Sequence, residues 1–225
     1  MTFNVRIIIE YLPWIKEGLT FTILICSLAL PIGFVLGSVV CIALMSQNSA
    51  LRNIAVAYVE VLRNIPFLIL IFIVFFVLPF YGLRIAPLTA GIGTLSVYAS
   101  AYFAEIIRGA ILSVPKGQRE AAQALGLRPG IIMRKIIIPQ MLGYLIPPVT
   151  NIGITIIKES SVLSVITVTE LTYYSNYIIG KTFSPFEILP LVAVIYLIIT
   201  AVFSLGMNVL ENRFIHVENF GRLGI

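Results

Sequence analysis

Two pairs of charged residues in this 225-residue chain share a spacing that could bring opposite charges together. Glu60 precedes Arg63, and Glu105 precedes Arg108, each by three positions. Residues three apart lie on the same face of a helix, so both spacings predict ion pairs. At the cytoplasmic end of a membrane span, where we place both, such a pair is solvated and contributes roughly 0–1 kcal/mol. The alternative is pairing between helices that holds an inner gate closed.

Lys158 and Glu159 follow a long apolar stretch that contains several helix breakers. The breakers are Gly143, Pro147, Pro148, Asn151 and Gly153. A broken helix at membrane depth usually lines a cavity, and an ionisable residue there is usually functional. We predict that Glu159 faces a translocation cavity and meets a substrate ammonium or guanidinium group, while Lys158 neutralises it or meets a substrate carboxylate. The alternative is a mutual ion pair near the outer leaflet.

Other polar side chains are candidates for the same path. Ser160 and Ser161 place hydroxyl groups directly after the charged pair. Weaker candidates, each also explained by packing, are Asn151, Thr155, Tyr98 and Tyr102.

The composition argues against enzymatic chemistry. The chain has one histidine, His216, and no aspartate. Its two cysteines, Cys26 and Cys41, would lie about 22 Å apart along one helix, too far for a disulfide. A glycine-rich phosphate loop after a strand is also missing from the sequence. We therefore predict no catalytic residue, no metal site, no cofactor and no nucleotide site, and hence not an enzyme.

The elements that must position these residues are membrane-spanning helices. Hydrophobic residues make up 59% of the chain and charged residues 11%, with a mean hydropathy of +1.04, whereas soluble domains carry about a quarter charged residues. Five uncharged windows of roughly 20 residues or more are long enough to cross a bilayer as helices. The windows are Gly18–Met45, Asn64–Leu83, Ile85–Ala104, Ile136–Ile157 and Ile188–Leu210. The prediction is one all-α membrane domain over residues 18–212.

The ends of the chain and the first reversal have their own signals. Residues 1–17 are predicted to lie along the interface, with Trp14 at headgroup depth. Residues 213–225 are predicted to form a cytoplasmic tail. Tyr81–Leu83 predicts a tight reversal, which makes the second and third windows a hairpin.

Basic residues predict the orientation. With five spans, one side carries Arg52, Arg63, Arg108, Lys116, Arg119, Arg128, Arg134, Lys135, Arg213 and Arg222. The other side carries only Arg6, Lys16, Arg84, Lys158 and Lys181. Because lysine and arginine are enriched in cytoplasmic loops, the N-terminus is expected outside, and the C-terminus and the loop 115–139 inside. Anionic lipid headgroups then account for the net charge of +5 without nucleic acid.

The loop 115–139 contains a short segment of helix-forming residues. We predict a helix over 118–125, on which Ala121, Ala122 and Leu125 share an exposed face that another surface can approach closely. Gly126 permits the left-handed residue that ends a helix. From the pattern alone, a docking helix and an interfacial linker are equally good explanations.

This loop resembles the EAA loop of permease subunits in binding-protein-dependent ABC importers. The matching residues are Glu120, Ala121, Ala122, Gly126, Ile136 and Pro139, with Ile138 in place of a leucine. The resemblance covers about Gly18 to Glu211. Its other motifs are Gly18–Ile23, Tyr58–Pro66, Ala101–Gly109, Val114–Gln118, Lys158–Ser161 and Thr169–Leu171. Several of these resemble the polar amino-acid branch, which carries histidine, glutamine, arginine or opines.

The resemblance implies a five-span, MetI-like type I importer fold in a bacterial inner membrane. In that family the EAA loop is the coupling helix that docks into the ATP-hydrolysing subunit, which assigns Glu120, Ala121, Ala122, Leu125 and Gly126 to coupling. The implied partners are two copies of an ABC ATPase, a second permease, identical or similar, and an external substrate-binding protein. The alternatives are a membrane assembly or scaffold protein without transport, and an exporter.

The chain departs from the family pattern at two places. Asn64 and Ile65 stand before Pro66, where the family usually has glycine and threonine. Tyr98 and Ala99 stand where the family usually has asparagine and serine. Both positions bear on which amino acid is carried.

Overall fold

The computed structural model describes residues 4–222, with side chains as far as Arg213, and the elements in this range are helical. The α-helices are α1 Val5–Leu44, α2 Ser49–Asn64, α3 Phe67–Phe72, α4 Pro87–Ser113, α5 Lys116–Ala124, α6 Pro129–Ile132, α7 Ile138–Glu159, α8 Leu171–Thr182 and α9 Pro185–Arg222. Short π-helical segments follow α3 (Ile73–Val77) and precede α7 (Met133–Ile137), and 3-10 segments lie at Leu78–Tyr81 and Ser160–Ile166. The predicted all-α fold is confirmed, while the side chain of His216 lies outside the described part.

Between residues 4 and 213, four helical segments are long and apolar enough to cross a membrane. They are Val5–Leu44, Pro87–Ser113, Pro129–Ile166 and Pro185–Arg213. A fifth crossing results if Ser49–Asn64 and Phe67–Tyr81, which are bent by 104°, form one broken span. The count then agrees with the five predicted spans.

The second span differs from the predicted window, which was an unbroken helix over Asn64–Leu83. The helix α2 ends at Asn64, and Ile65 is extended, with φ −97° and ψ 130°. The physical reason is Pro66, which has no amide hydrogen and forces the residue before it out of the helical region. The span therefore has a break in its backbone near its middle.

The helices α1 and α4 pack closely, and glycines on α1 permit this. A Cβ atom added to Gly33 would lie 2.8 Å from the Cβ of Ala99. One added to Gly37 would lie 2.7 Å from the Cβ of Phe103 and 2.8 Å from the carbonyl oxygen of Ser100. Small residues four positions apart are common where membrane helices touch. This contact fixes the position of α4, which carries four of the candidate residues.

The predicted boundaries at residues 17 and 213 do not coincide with breaks in the helices. The helix α1 begins at Val5, capped by the Asn4 side chain, and continues to Leu44. Its first turns rest on α8, because the ring of Trp14 lies 5.4 Å from those of Tyr174 and Tyr177. The helix α9 likewise runs through residue 213 to Arg222.

The helix α7 is continuous where we predicted a broken helix. It spans Ile138–Glu159 with Pro147 and Pro148 inside it. Prolines are tolerated in membrane helices when neighbouring groups and helices compensate for the lost hydrogen bonds. Gly153 serves close packing rather than a break, since an added Cβ would lie 2.5 Å from the ring of Phe203 on α9.

The chain reverses between α3 and α4 at Gly82, as predicted. The φ of Gly82 is +83°, in the left-handed region that glycine adopts without strain. The Gly82 amide donates to the Pro79 carbonyl at 3.0 Å, and the Leu83 amide donates to the Leu78 carbonyl at 3.2 Å. The two helices therefore form the expected hairpin.

Candidate translocation site and coupling helix

A small polar cavity lies beside the break between α2 and α3. Its volume is about 220 Å³, and it is lined by Glu60, Arg63, Asn64 and Tyr102. At 1.5 Å per residue, Tyr102 lies about 22 Å from one end of α4 and about 16 Å from the other. The cavity is therefore near the middle of the bundle. The predicted location of Glu60 and Arg63 at a cytoplasmic helix end is wrong, because α2 carries them to the level of Tyr102.

Glu60 and Arg63 also do not form the ion pair that their spacing predicts. The Asn64 side chain donates from Nδ2 to the Glu60 carboxylate Oε2 at 3.0 Å and to the Glu60 carbonyl at 2.7 Å. The guanidinium carbon of Arg63 instead lies 5.4 Å from the centre of the Tyr102 ring. Asn64, at the end of α2, has taken Glu60 as its partner, and Arg63 faces an aromatic ring.

The second pair behaves as predicted. Arg108 donates to Glu105 Oε2 from Nε at 3.0 Å and from Nη2 at 2.6 Å. In the part of the chain whose side chains are described, this is the one salt bridge within 4.0 Å, so neither pair shows the cross-pairing between helices of the gate alternative. Both side chains remain partly exposed, near the end of α4 that leads to α5.

Tyr98 and Tyr102 lie together on α4, next to the start of α3. The hydroxyl groups of Tyr98 and Tyr102 are 3.1 Å apart, and the ring of Phe67, the first residue of α3, lies 5.2 Å from that of Tyr98. Glu159 is the last residue of α7, and α7 packs against α4, the helix that carries both tyrosines. Two residues at which the chain departs from the pattern of the family it resembles, Asn64 and Tyr98, thus both contact Tyr102 or line the cavity beside it.

The remaining candidates on α7 lie on different sides of the helix. Asn151 and Lys158 are exposed and Thr155 is half-exposed, so these three form a polar stripe along one face of α7. Ser160 is buried and donates to the Ile157 carbonyl at 2.7 Å, while Ser161 donates to the Lys158 carbonyl at 2.7 Å. Both serine hydrogens are therefore used within the chain, which leaves only the oxygens as acceptors.

Glu170, which sequence reasoning did not single out as a site residue, is fully buried between three helices. Its carboxylate accepts from the amides of Thr172 at 2.9 Å and Tyr173 at 2.7 Å, and from the Tyr196 hydroxyl on α9 at 2.9 Å. Burial raises the pKa of the Glu170 carboxyl to about 7, although these hydrogen bonds act in the opposite direction. The side chain caps the start of α8, although glutamate is not among the residues preferred at that position, and the contact with α9 depends on the fold.

The helix predicted over 118–125 is present as α5, Lys116–Ala124, and its end has the predicted form. Gly126 has φ +72°, its amide donates to the Gln123 carbonyl at 2.9 Å, and the Leu127 amide donates to the Ala122 carbonyl at 3.1 Å. This is the Schellman ending of a helix, which favours glycine at the left-handed position. An added Cβ at Gly126 would meet nothing within 4 Å, so only backbone conformation demands glycine there.

The exposed face of α5 differs from the predicted one. Ala122 is 2% exposed and packs against the bundle, whereas Leu125 is 80% exposed and Glu120 and Ala121 are also exposed. Ala122 therefore does not belong to the exposed face that was predicted to contain it. Apart from Ala122, the residues of α5 and Leu125 after it are exposed, and Glu120, Ala121 and Leu125 are among them.

A helical membrane bundle with a polar cavity at a broken span, and an exposed helix on a loop, has the architecture of a membrane transport subunit. A family model described as the binding-protein-dependent transport system inner membrane component matches residues 29–216. The chain belongs to this family. It is a multi-pass inner-membrane permease subunit whose system includes an ATPase and a substrate-binding protein, and it is not itself an enzyme.

Relatives and solved structures agree with this assignment along nearly the whole chain. The probable amino-acid ABC transporter permease protein YckA of Bacillus subtilis (strain 168) is 37% identical over 214 residues, 95% of each chain. The glutamine transport system permease protein GlnP of Escherichia coli (strain K12) is 39% identical over 215 residues, 95% of this chain and 98% of GlnP.

A crystal structure of an amino acid ABC transporter with histidines matches with a TM-score of 0.88 and 35% identity, over 95% of this chain and 100% of that one. An inward-facing structure of the MetNI methionine ABC transporter matches with a TM-score of 0.79 and 25% identity, over 91% and 98%. The predicted MetI-like fold is confirmed.

Proposed function

We propose that this permease subunit imports a polar amino acid, and that the amino acid passes the cavity between the α2–α3 break and α4. The observation that carries the proposal is the polar cavity at mid-bundle, in a chain of which 59% of the residues are hydrophobic. Ionisable residues at this depth are costly and mark substrate pathways. Its volume is below the roughly 300–1,000 Å³ of sites for drug-sized ligands, which suits a solute as small as one amino acid. The names of the relatives support the same substrate class.

The charges around the cavity fit a zwitterion. Arg63 offers a guanidinium group that binds carboxylates through two parallel hydrogen bonds. Glu159, half-exposed at the end of α7, is the partner for the substrate ammonium group. Lys158 is exposed on the stripe of α7 and is a second cation for the carboxylate along the path. L-Glutamine is the first substrate to test, because GlnP is a glutamine permease.

A second permease, identical or similar, closes the path. The polar stripe of Asn151, Thr155 and Lys158 faces away from the chain's own bundle, and polar side chains at membrane depth face protein or a water-filled cavity rather than lipid. Two such stripes facing each other would form an aqueous path between permeases. The complete complex would then hold two copies of the ATPase and one external binding protein.

The energy of ATP enters through α5. The N-terminus is outside and α5 is cytoplasmic, as the distribution of the basic residues supports. Leu125 is the apolar side chain that inserts into the ATPase, and Glu120 and Ala121 border it. Movement of α5 on ATP binding would be passed to α4, which ends three residues before α5 begins.

Transport by the purified complex tests this function. The permease is reconstituted into liposomes with its ATPase, ATP is enclosed on the ATPase side, and the cognate binding protein is added on the other side. We expect ATP-dependent accumulation of L-[³H]glutamine or of another amino acid from a panel of basic, acidic and amide side chains. The scaffold alternative predicts no accumulation of any of them and no ATPase subunit in a pull-down.

Glu159→Gln tests the path within the same assay. We expect uptake to fall by about tenfold, since a hydrogen bond to a charged group contributes roughly 1.5–3 kcal/mol. If this variant keeps both its uptake and its coupling to ATP hydrolysis, Glu159 is not part of the translocation path.

A further inference from the structure

Asn64 is the last residue of α2, and its amide binds Glu60 twice. One bond, to the Glu60 carbonyl, secures the end of the helix. The other, at 3.0 Å to Oε2, occupies the carboxylate. Securing the helix end does not require the second bond, so it is an additional feature of the site. Its consequence is that the carboxylate is directed toward Asn64 rather than Arg63.

Arg63 is left without an anion. Its guanidinium group lies over the Tyr102 ring, and among the described side chains no hydrogen bond or ion pair of this group is recorded. A guanidinium group has five donors, arranged to bind a carboxylate at two points. A cation at membrane depth with these donors unused is expected to receive its partner from outside the chain. The open cavity beside it gives such a partner access.

The same chain contains the arrangement that Arg63 avoids. Glu105 and Arg108 have the same spacing, and they pair at 2.6 Å. The residue after Arg108 is Gly109, which has no side chain to hold the glutamate. The residue after Arg63 is Asn64. The presence of a side-chain amide at this position is the local difference between a closed pair and an open one.

We propose that Asn64 is a positioning residue that holds Glu60 away from Arg63, so that Arg63 can bind the α-carboxylate of the transported amino acid. The proposal rests on the proposed function and adds a determinant of affinity to it. Without the Asn64 amide, Glu60 would turn to Arg63 and form the pair that Glu105 forms with Arg108. The substrate carboxylate would then have to displace Glu60, and its binding would weaken.

Direct binding to the complex of the permease and its ATPase, without the binding protein, tests this. The probe is the amino acid that the wild-type complex imports best, starting with L-[³H]glutamine, measured by equilibrium dialysis. We expect Asn64→Gly to raise the Kd about 5- to 20-fold. The double variant Glu60→Gln/Asn64→Gly should return the Kd to within about twofold of wild type, because the competing carboxylate is gone. A purely structural role for Asn64 gives no such rescue.

Two further variants separate the effect of losing the Asn64 amide from the effect of loosening the helix backbone. Asn64→Ala should raise the Kd as much as Asn64→Gly does, because both remove the amide while only glycine loosens the helix end. Asn53→Gly is the matched control on α2, since the structure records no side-chain hydrogen bond for Asn53, and it should stay within about twofold of wild type.

The proposal is overturned if Asn64→Gly and Asn64→Ala bind like wild type, or if the double variant fails to rescue. Either result leaves the proposed function intact, because the wild-type complex still transports. If the wild-type complex binds and imports none of the amino acids, both the proposed function and the role of Asn64 are wrong.

Discussion

The two E-x-x-R pairs have the same spacing and opposite outcomes. Glu105 and Arg108 join at 2.6 Å on an unbroken stretch of α4. Glu60 and Arg63 lie in the last turns of α2, next to a break, and Asn64 binds the glutamate instead. The spacing thus decides which residues can meet, while the next residue and the end of the helix decide which do meet.

The difference also separates a structural pair from an open site. The Glu105–Arg108 pair satisfies both charges within one helix and needs nothing else. The α2 arrangement satisfies the anion and leaves the cation facing a cavity. Under the proposed function the open arrangement is the useful one, because a substrate carboxylate could complete it and leave again.

The largest effect is expected from disturbing the close packing of α1 against α4. In Gly37→Leu, the new side chain would meet Phe103 and Ser100, and α1 and α4 would have to separate. Overpacking costs about 1–3 kcal/mol or more, so we expect a clearly lower thermal unfolding midpoint and little folded complex after extraction. Gly109→Leu on α4 is the control, because an added Cβ there meets nothing within 4 Å. Equal midpoints for the two variants would contradict the close α1–α4 contact.

The next effect compares the two arginines directly. Arg63→Gln should lower uptake by about 10- to 100-fold, because a charged hydrogen-bonding group contributes roughly 1.5–3 kcal/mol to binding. Arg108→Gln should lower it far less, since its partner Glu105 is partly exposed and can be solvated. The measurement is amino-acid uptake into liposomes, divided by the amount of ATPase bound to the permease. If Arg108→Gln proved the more damaging change, the roles assigned to the two pairs would be reversed.

A smaller effect is expected at the end of α5. There the backbone conformation of Gly126, and not a contact between side chains, determines how the helix ends. Gly126→Ala forces a residue with a β-carbon to φ +72°, at about 1–2 kcal/mol. We expect a several-fold loss of transport-coupled ATP hydrolysis, with a milder loss in Gly126→Asn, since asparagine tolerates this conformation. Gly117→Ala, inside α5 and without close neighbours, is the control and should couple normally. Normal coupling in Gly126→Ala would show that docking does not depend on this helix ending.

Local signals predicted the elements better than they predicted their contacts. Four of the five apolar windows, the reversal at Gly82 and the ending at Gly126 follow from composition and backbone preference, and the structure has them; the second window is part of a broken span. The breaks were assigned to the wrong helix. Pro147 and Pro148 are accommodated in α7, whereas Pro66, at the start of an apolar window, is where a span breaks.

The site was only partly predictable for a different reason. Tyr98, Tyr102, Glu60 and Arg63 were candidates from their types and spacing, and the structure brings them to one region. The bond between Asn64 and Glu60 depends on where α2 stops, so no periodicity signals it. The burial of Glu170 depends on Tyr196, which is distant in sequence and adjacent only once α9 packs.

The smallest effect is expected from removing the closed pair, and it is the sharpest check on the comparison. Glu105→Gln leaves Arg108 without an anion, but Arg108 is 39% exposed and can be hydrated. A partly exposed pair at this spacing contributes less than about 1 kcal/mol, so uptake should stay within about twofold and the unfolding midpoint should barely move. Raising the salt concentration should shrink the difference from wild type further, because exposed charges are screened. A large loss of uptake without loss of folded complex would mean that Glu105 pairs across helices during transport, as the gate alternative holds.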